Sequence, residues 1–226
     1  MGQKVILCYG DSNTWGYIPS PNYGTPRRYT RTFRWTGILQ ELLGEFYYVV
    51  EEGLNGRTTN LNHSIEPDRN GKTYLSPCLY SHAPIDLIIL ALGGNDLNQC
   101  FNRSAEDIKI AIVDLINLIS ETKYGSDMLS SPKILLMSPP VPLESIEQQC
   151  ALSDFESFSN TIDKAKQLQL LLEDLAKTRD LEFLNVNNVA MPSVLDGIHF
   201  NAGGHLKIAK ALYEIVLDMF SIRRRY

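Results

Sequence analysis

Residues 5–16 read Val5-Ile6-Leu7-Cys8-Tyr9-Gly10-Asp11-Ser12-Asn13-Thr14-Trp15-Gly16. A short apolar run that ends in small polar residues predicts a buried strand followed by a sharp turn. Gly10 tolerates backbone angles that are closed to other residues, and Asp11 is of a type that stabilises turns. We therefore expect Ser12 at the mouth of the strand, which in parallel sheets is the end where ligands bind. On this stretch alone the alternative stays open that Gly10-Asp11-Ser12 is only a strand-to-helix turn with a cap.

The composition is that of an ordinary globular protein, with 226 residues of which 44% are hydrophobic and 21% charged. A chain of this length can bury roughly 70% of its unfolded surface, so we expect a hydrophobic core that is stable without disulfides or structural metals. The net charge is −5, and the one basic block is the arginine run at 223–225. This balance argues against nucleic acid as the main partner. We interpret the arginine run as a solvated C-terminus, and a membrane-surface or subunit contact is the alternative.

The four cysteines, at positions 8, 78, 100 and 150, form no Cys-x-x-Cys pair, and His63 and His82 have no paired spacing. We therefore predict neither a metal nor another cofactor. The chain enters its first predicted strand without a charged-then-apolar leader, and no apolar run approaches the ~18 residues of a spanning helix. These features predict a cytoplasmic protein without a membrane span.

Apolar runs alternate with segments of helical spacing five times along the chain. The predicted strands are the run from Val5 and residues 46–50, 86–92, 133–137 and 181–186. The predicted helices cover 34–43, a segment that opens at 104–107, and residues 160–179 and 202–220. Three long loops are expected at 17–32, 60–82 and 139–157. This alternation predicts an α/β sandwich with a parallel sheet and right-handed crossovers, in one domain over residues 1–226.

Four turn-rich polar motifs follow predicted strands, and in a parallel sheet such exits lie at the same edge. They are Gly10–Ser12, Gly53–Gly56, Gly93–Asp96 and Asp196–His199. Because four independent turns need not all carry reactive or donor groups, their convergence raises the expectation of a functional site at this edge.

Acyl transfer requires a nucleophile, a base with an orienting acid, and hydrogen-bond donors for the oxyanion. Ser12 is the candidate nucleophile and His199 the candidate base, because an imidazole can accept the serine proton near neutral pH. Asp196, three residues before His199, is the candidate orienting acid. The α/β-hydrolase elbow has the same chain order but requires Gly-x-Ser-x-Gly, which is not the pattern around Ser12.

The candidate oxyanion donors are the backbone N–H groups of Ser12 and Gly56 and the side-chain amide of Asn95. Asp11 is expected to be structural, Asp96 to cap a helix, and His205 to be a surface or helix residue. The aromatic and apolar side chains near the motifs could line an acyl or aryl pocket, although plain core packing is an equal alternative for each. The pocket candidates are Trp15, Phe155, Ile198 and Phe200.

These motifs resemble those of the SGNH (GDSL-type) hydrolases, whose signature blocks carry Ser, Gly, Asn and His in this order. The matches are Gly10-Asp11-Ser12, Gly56, Gly93-Gly94-Asn95-Asp96 and Asp196-Gly197-Ile198-His199. The chain is most similar to the arylesterase/acyltransferase branch through the longer stretches Arg34-Trp35-Thr36-Gly37, Glu51-Glu52-Gly53-Leu54 and Arg57-Thr58-Thr59-Asn60.

The resemblance implies a flavodoxin-like three-layer sandwich, a Ser-Asp-His triad, no metal, and esterase or acyl-transfer activity on a small ester. It also implies a homo-oligomer, because some members of that branch assemble. A carbohydrate O-acetyl esterase and a lysophospholipase or thioesterase are alternatives within the superfamily. Outside it, a non-catalytic α/β binding module is the weaker alternative, because both phosphate-binding glycine motifs are missing from the sequence. An inactive scaffold is disfavoured since every signature residue is present.

Overall fold

The computed structural model describes residues 2–21, 25–63, 66–144, 158 and 161–220. Five parallel strands form one sheet in the order β2-β1-β3-β4-β5, which is the flavodoxin-like order. They are β1 (Lys4–Gly10), β2 (Tyr47–Gly53), β3 (Leu87–Ala91), β4 (Lys133–Met137) and β5 (Glu182–Leu184). The predicted α/β class and five-stranded parallel sheet are therefore confirmed.

Helices cover both faces of this sheet. They are α1 (Ser12–Trp15), α2 (Trp35–Leu43), α3 (Gly71–His82), α4 (Ala105–Ser120), α5 (Ile162–Thr178) and α6 (Ala202–Phe220). Short 3-10 turns lie at Asn95–Leu97, Gln99–Phe101 and Val186–Asn188. No described helix has the length and apolar content that crossing a membrane requires.

Strand β1 shows why the structure has three layers. Leu7 and Tyr9 point into a core shared with α3, α4 and α5, whereas Ile6 and Cys8 point into a core shared with α2 and α6. Successive strand residues face opposite sides of a sheet, and here both sides are apolar. All four side chains are fully buried, so the continuous apolar run in the sequence reflects a central strand covered on both faces.

The predicted loop 60–82 was wrong in its second half, which forms α3. Asn70 caps this helix by accepting a hydrogen bond from the Thr73 backbone N–H at 3.2 Å. The helix was missed because it contains Pro77 and exposes Tyr74 and Tyr80, which blurs the apolar stripe. The predicted opening of α4 is confirmed, since Ser104 and Asp107 form a reciprocal capping box.

Two glycines let the ends of β1 and β2 lie close to α1. A Cβ atom on Gly10 would lie 2.0 Å from Thr14 Oγ1, and one on Gly53 would lie 2.2 Å from the Trp15 backbone nitrogen. Gly10 and Gly53 are also paired across the sheet. The first turn after β1 therefore packs directly against the neighbouring strand end, which fixes where Ser12 lies.

Candidate active site

Ser12 is the first residue of α1, and its position is set by the turn before it. Asp11 caps the helix, because its Oδ1 accepts a hydrogen bond from the Asn13 backbone N–H at 2.9 Å. Gly16 ends the helix after four residues with φ +89°. Ser12 is buried at the end of β1, with 7% of its surface exposed.

The structure brings Ser12, His199 and Asp196 into one hydrogen-bonded chain. His199 Nε2 lies 2.9 Å from Ser12 Oγ, and His199 Nδ1 lies 2.9 Å from Asp196 Oδ2. The other carboxylate oxygen of Asp196 accepts the backbone N–H groups of Ile198 at 3.1 Å and His199 at 3.0 Å. This geometry allows the imidazole to take the serine proton while the carboxylate orients the ring.

The environment of Asp196 keeps its carboxyl group ionised. Burial raises its pKa, but the hydrogen bonds from His199 and Ile198 and the nearby imidazole outweigh burial, so the pKa lies below the usual value. An ionised carboxylate accepts the Nδ1 proton, which leaves Nε2 of a neutral ring as the acceptor that faces Ser12.

Asn13 and Tyr17 contact the turn of residues 196–200, which carries His199. No role for Asn13 was predicted from the sequence. Asn13 Nδ2 donates to the Ile198 carbonyl at 3.3 Å, and its Oδ1 accepts the Phe200 backbone N–H at 3.1 Å. The Tyr17 ring stacks on the His199 ring with centroids 4.2 Å apart. The only signal in the sequence was that Asn13 follows Ser12, because its partners are backbone groups 185 and 187 residues away.

The two other predicted oxyanion residues, Gly56 and Asn95, lie on turns that contact the residues just before Ser12. Gly56 has φ +72°, a conformation that favours glycine. Its loop is bound to the end of β1, because the Leu54 backbone N–H donates to the Gly10 carbonyl at 3.1 Å. Asn95 Nδ2 donates to the Arg57 carbonyl at 3.0 Å, and the second N–H of the amide is not used in that bond.

Asp96 is fully buried and does not cap a helix, so that prediction was wrong. Its Oδ2 accepts the Thr59 backbone N–H at 2.9 Å, and its Oδ1 accepts Thr59 Oγ1 at 2.5 Å and Arg103 Nη1 at 2.9 Å. Burial raises the pKa of Asp96, although these bonds act against the rise. Asp96 therefore ties the Asn95 turn to the loop that follows Gly56.

Asp11 has the structural role that was expected, in an unusual electrostatic setting. Burial raises its pKa to about 6, although the hydrogen bond from Asn13 and the neighbouring His199 and Arg57 lower it. A Cβ atom on Gly94 would lie 3.2 Å from Asp11 Oδ2. Asp11 therefore lies between the serine turn and the Asn95 turn.

The four pocket candidates have different surroundings. Trp15 is half-buried, with the Arg28 guanidinium 5.1 Å from the centre of its ring. Ile198 is also half-buried and packs against the core of α3, α4 and α5. Phe200 is 1% exposed within the core of α2 and α6, so core packing accounts for it and a pocket role does not. Phe155 lies outside the described residues.

His205 lies in α6, so the predicted helix alternative is confirmed, but it is wholly buried and the surface alternative was wrong. Its Nδ1 accepts the Trp35 backbone N–H at 3.3 Å. Burial lowers its pKa to about 4, and electrostatic repulsion from His199 and Arg34 lowers it further. His205 is therefore a neutral acceptor that joins α6 to the start of α2.

One described group has donor atoms of the types that bind metals. A ligand atom each of Glu52, Cys78 and His82 lies within 4.8 Å of the others. However, His82 Nε2 is already 2.8 Å from Glu52 Oε1, and burial raises the pKa of the Cys78 thiol to about 12. Zinc binds the thiolate, so these three side chains fit a hydrogen-bonded cluster better than a metal site. The absence of a cofactor remains a prediction.

Comparison with known proteins places this geometry in a family. The M. smegmatis aryl esterase is 33% identical, with 95% of this chain and 99% of that chain aligned at a TM-score of 0.86. Est24, a carbohydrate acetylesterase from Sinorhizobium meliloti, is 32% identical over 96% of this chain and 100% of that chain, with a TM-score of 0.88. A lipolytic G-D-S-L protein from Veillonella parvula shares the fold at 16% identity, with 94% and 97% of the two chains aligned and a TM-score of 0.62.

No match was found among curated proteins. The profile of the GDSL-like lipase/acylhydrolase family, in contrast, matches residues 8–207. This match runs from strand β1 into helix α6 and includes every strand exit of the candidate site. The chain therefore belongs to the GDSL-like lipase/acylhydrolase family.

Proposed function

We propose that the protein is a serine esterase that cleaves small carboxylic esters through an acyl-enzyme on Ser12. The observation that carries this proposal is the continuous chain of hydrogen bonds from Ser12 Oγ through His199 to Asp196. Membership of a family of ester hydrolases supports the reaction class, and the aryl esterase and carbohydrate acetylesterase structures support esters as substrates.

In the acylation step, Ser12 Oγ attacks the ester carbonyl carbon while His199 Nε2 takes its proton. The carbonyl oxygen becomes negatively charged, and the backbone N–H groups of Ser12 and Gly56 and the second amide N–H of Asn95 are the proposed donors to it. His199 then protonates the leaving alcohol, and the acyl group remains on Ser12.

Deacylation repeats the same steps with water as the nucleophile. His199 Nε2 takes a proton from water, the hydroxide attacks the acyl carbon, and the proton returns to Ser12 Oγ as the carboxylic acid leaves. An alcohol or peroxide in place of water would give acyl transfer. We include that activity in the proposal because the longer sequence stretches resemble the acyltransferase branch.

Among substrates, a small ester is the leading proposal and an O-acetylated carbohydrate is the second. The second is favoured by the likeness to the S. meliloti carbohydrate acetylesterase. A series of p-nitrophenyl esters from acetate to octanoate, run beside acetylated xylose, distinguishes the two. Among the p-nitrophenyl esters, we expect the acetate to have the highest kcat/KM.

The direct test is hydrolysis of p-nitrophenyl acetate by the wild type and by Ser12→Ala. We expect kcat to fall by about 10⁴-fold or more in the variant, because removing the nucleophile removes the covalent route. A Ser12→Ala protein that keeps its rate would rule out the acyl-enzyme.

We further propose that the whole chain is one domain and works in the cytoplasm as a homo-oligomer. The single sheet, whose strands extend from residue 4 to residue 184, supports one domain. The oligomer rests on resemblance to a branch with oligomeric members. Light scattering tests it directly, and a monomer at micromolar concentration would refute it.

A further inference from the structure

Arg57 is a buried charged residue on the turn that carries the proposed oxyanion donor Gly56. It follows Gly56 directly and is 3% exposed. The mechanism above gives its side chain no part. A buried guanidinium is costly unless its donors are satisfied, so its partners indicate what it does.

The guanidinium joins two strand ends. Arg57 Nη1 donates to the Gly10 carbonyl at 2.9 Å and also to the Glu52 carbonyl. Gly10 is the last residue of β1, and Glu52 is next to the last residue of β2. The side chain of a loop residue thus bonds the paired ends of the strand that leads to Ser12 and the strand that leads to Gly56.

Two tyrosines keep the guanidinium in place. Its carbon lies 4.3 Å from the ring centre of Tyr9 and 5.5 Å from that of Tyr74. Tyr9 is itself fixed, because its hydroxyl donates to the Gly71 carbonyl at 2.7 Å. Stacking on aromatic faces and a planar set of donors are properties of arginine that lysine does not share.

The backbone of Arg57 completes the link. Its N–H donates to the Leu54 carbonyl at 3.1 Å, which closes the turn around Gly56. Its carbonyl accepts the Asn95 amide at 3.0 Å. One residue therefore contacts the end of β1, the turn of Gly56 and the side chain of Asn95.

We propose that Arg57 is a positioning residue for the oxyanion donors, which fixes the Gly56 turn and the Asn95 amide relative to Ser12. This inference rests on the proposed function. Donors that stabilise a transition state must be held close to their productive geometry, and an error of about 1 Å can cost on the order of 100-fold in rate. Arg57 supplies that rigidity to an otherwise irregular loop.

The test compares Arg57→Gln, Arg57→Lys and the remote control Arg179→Gln on p-nitrophenyl acetate. Arg179 is exposed and bonds Asn117 on the opposite side of the fold. We expect Arg57→Gln to lower kcat by about 10–100-fold with KM within threefold. Arg57→Lys, which keeps the charge and loses the planar donors, should fall in between. The control should keep the wild-type rate.

A second comparison tests whether Arg57 acts through the side-chain amide of Asn95. It uses Asn95→Ala and the double variant Arg57→Gln/Asn95→Ala. If Arg57 does so, the double variant loses little more than the poorer single variant, because both changes disable the same donor. Losses that multiply in full would overturn the part of the proposal in which Arg57 positions the Asn95 amide. All rates are taken below the melting temperature of each variant, and Arg57→Lys provides the comparison if Arg57→Gln does not fold.

A wild-type kcat in both Arg57 variants would also overturn the inference. Ser12→Ala separates this failure from a failure of the proposed function. If Ser12→Ala is inactive while the Arg57 variants are normal, only the positioning role is lost. If Ser12→Ala is active, the acyl-enzyme itself is wrong.

Discussion

Two groups of chain segments surround Ser12, and they are held together in different ways. The segments around His199 are connected by uncharged contacts, whereas the loop segments around Gly56 and Asn95 are connected by buried charged side chains. The histidine side consists of residues 11–17 and 196–200, and Asn13 and the Tyr17 ring connect its two segments. The loop side consists of residues 54–60 and 93–96 with Arg103, and it is held by Arg57 and by the pair of Asp96 and Arg103.

The difference follows from what each side has to hold. The histidine side must keep a ring in one orientation while its charge changes, and the Asp196 carboxylate bonds that ring directly. The loop side must fix irregular backbone that has no sheet partners, and buried polar networks can specify such a conformation at the cost of high sensitivity to change. The largest losses of rate are therefore expected on the histidine side, and the largest losses of stability on the loop side.

The largest expected effect is on rate, from Asp196→Asn on the histidine side. An asparagine oxygen can still accept the Ile198 and His199 backbone N–H groups, so the turn should remain. However, its amide cannot hold the imidazole in the required tautomer, and we expect kcat to fall by about 10³–10⁴-fold. Steady-state kinetics with p-nitrophenyl acetate measure this, and the exposed Asp180→Asn serves as the control. A loss below tenfold would contradict the orienting role.

On the loop side, Asp96→Ala should act on stability. It removes the acceptor of the Thr59 backbone N–H and of Arg103, and it leaves a largely buried guanidinium without its carboxylate. Breaking a buried ion pair costs about 3–5 kcal/mol, so the free energy of unfolding in urea should fall by that amount.

The matched comparison is Asp114→Ala, which breaks the exposed pair with Lys72. Pairs of that kind contribute about 0–1 kcal/mol. If the two substitutions had equal effects on unfolding, the loop side would not depend on its buried ions.

Two buried groups, His205 and Asp11, have opposite effects on how stability changes with pH. The pKa of His205 is lowered to about 4, so the unfolded chain binds more protons and stability falls as the pH drops from about 6.5 to 4. The pKa of Asp11 is raised to about 6, so the folded chain binds more protons and stability rises as the pH drops from about 6 to 4. Between pH 4 and 6 the two contributions oppose each other.

Asp11→Asn should therefore expose the His205 contribution. Asparagine can keep the cap on the Asn13 N–H but does not titrate. Between pH 6.5 and 4 the variant should lose about 2–3 kcal/mol more stability than the wild type, because the opposing contribution is gone. Urea unfolding at half-unit pH steps measures the slope. Equal slopes for both proteins would show that Asp11 does not titrate in this range.

Much of the fold and of the candidate site was predictable because it depends on local signals. The run from Val5 to Tyr9 predicted a buried strand, and the Ser104/Asp107 pair predicted the start of α4. Ser12, Asp196 and His199 were singled out because parallel strand exits share an edge. The end of β2 was less accurate: it was predicted at residue 50 and lies at Gly53, because the polar residues 51–53 do not continue the apolar run.

What was missed depends on contacts between distant parts of the chain. Arg57 bonds backbone carbonyls, one of them 47 residues away, and a carbonyl is present at every position. His205 follows an ordinary helical pattern, and only the packing of α2 on α6 buries it. Asp96 had the residue type of a cap, but its partners Thr59 and Arg103 come from two other segments. Such roles are properties of the assembled fold and leave no periodic signal.

The smallest expected effect is from Asn13→Ala, and it is the closest test of the contrast between the two sides. The substitution removes two hydrogen bonds that together cost about 1–3 kcal/mol to lose, and it buries no unpaired charge. Because the Asp196–His199 bond and the Tyr17 stacking remain, the ring should keep its orientation but gain freedom, and we expect kcat to fall by about tenfold. Urea unfolding and kinetics on one preparation, with the exposed Asn188→Ala as control, measure both. If Asn13→Ala lost more stability than Asp96→Ala while keeping its rate, the histidine side would be the structural one and the assignment of the two sides would be reversed.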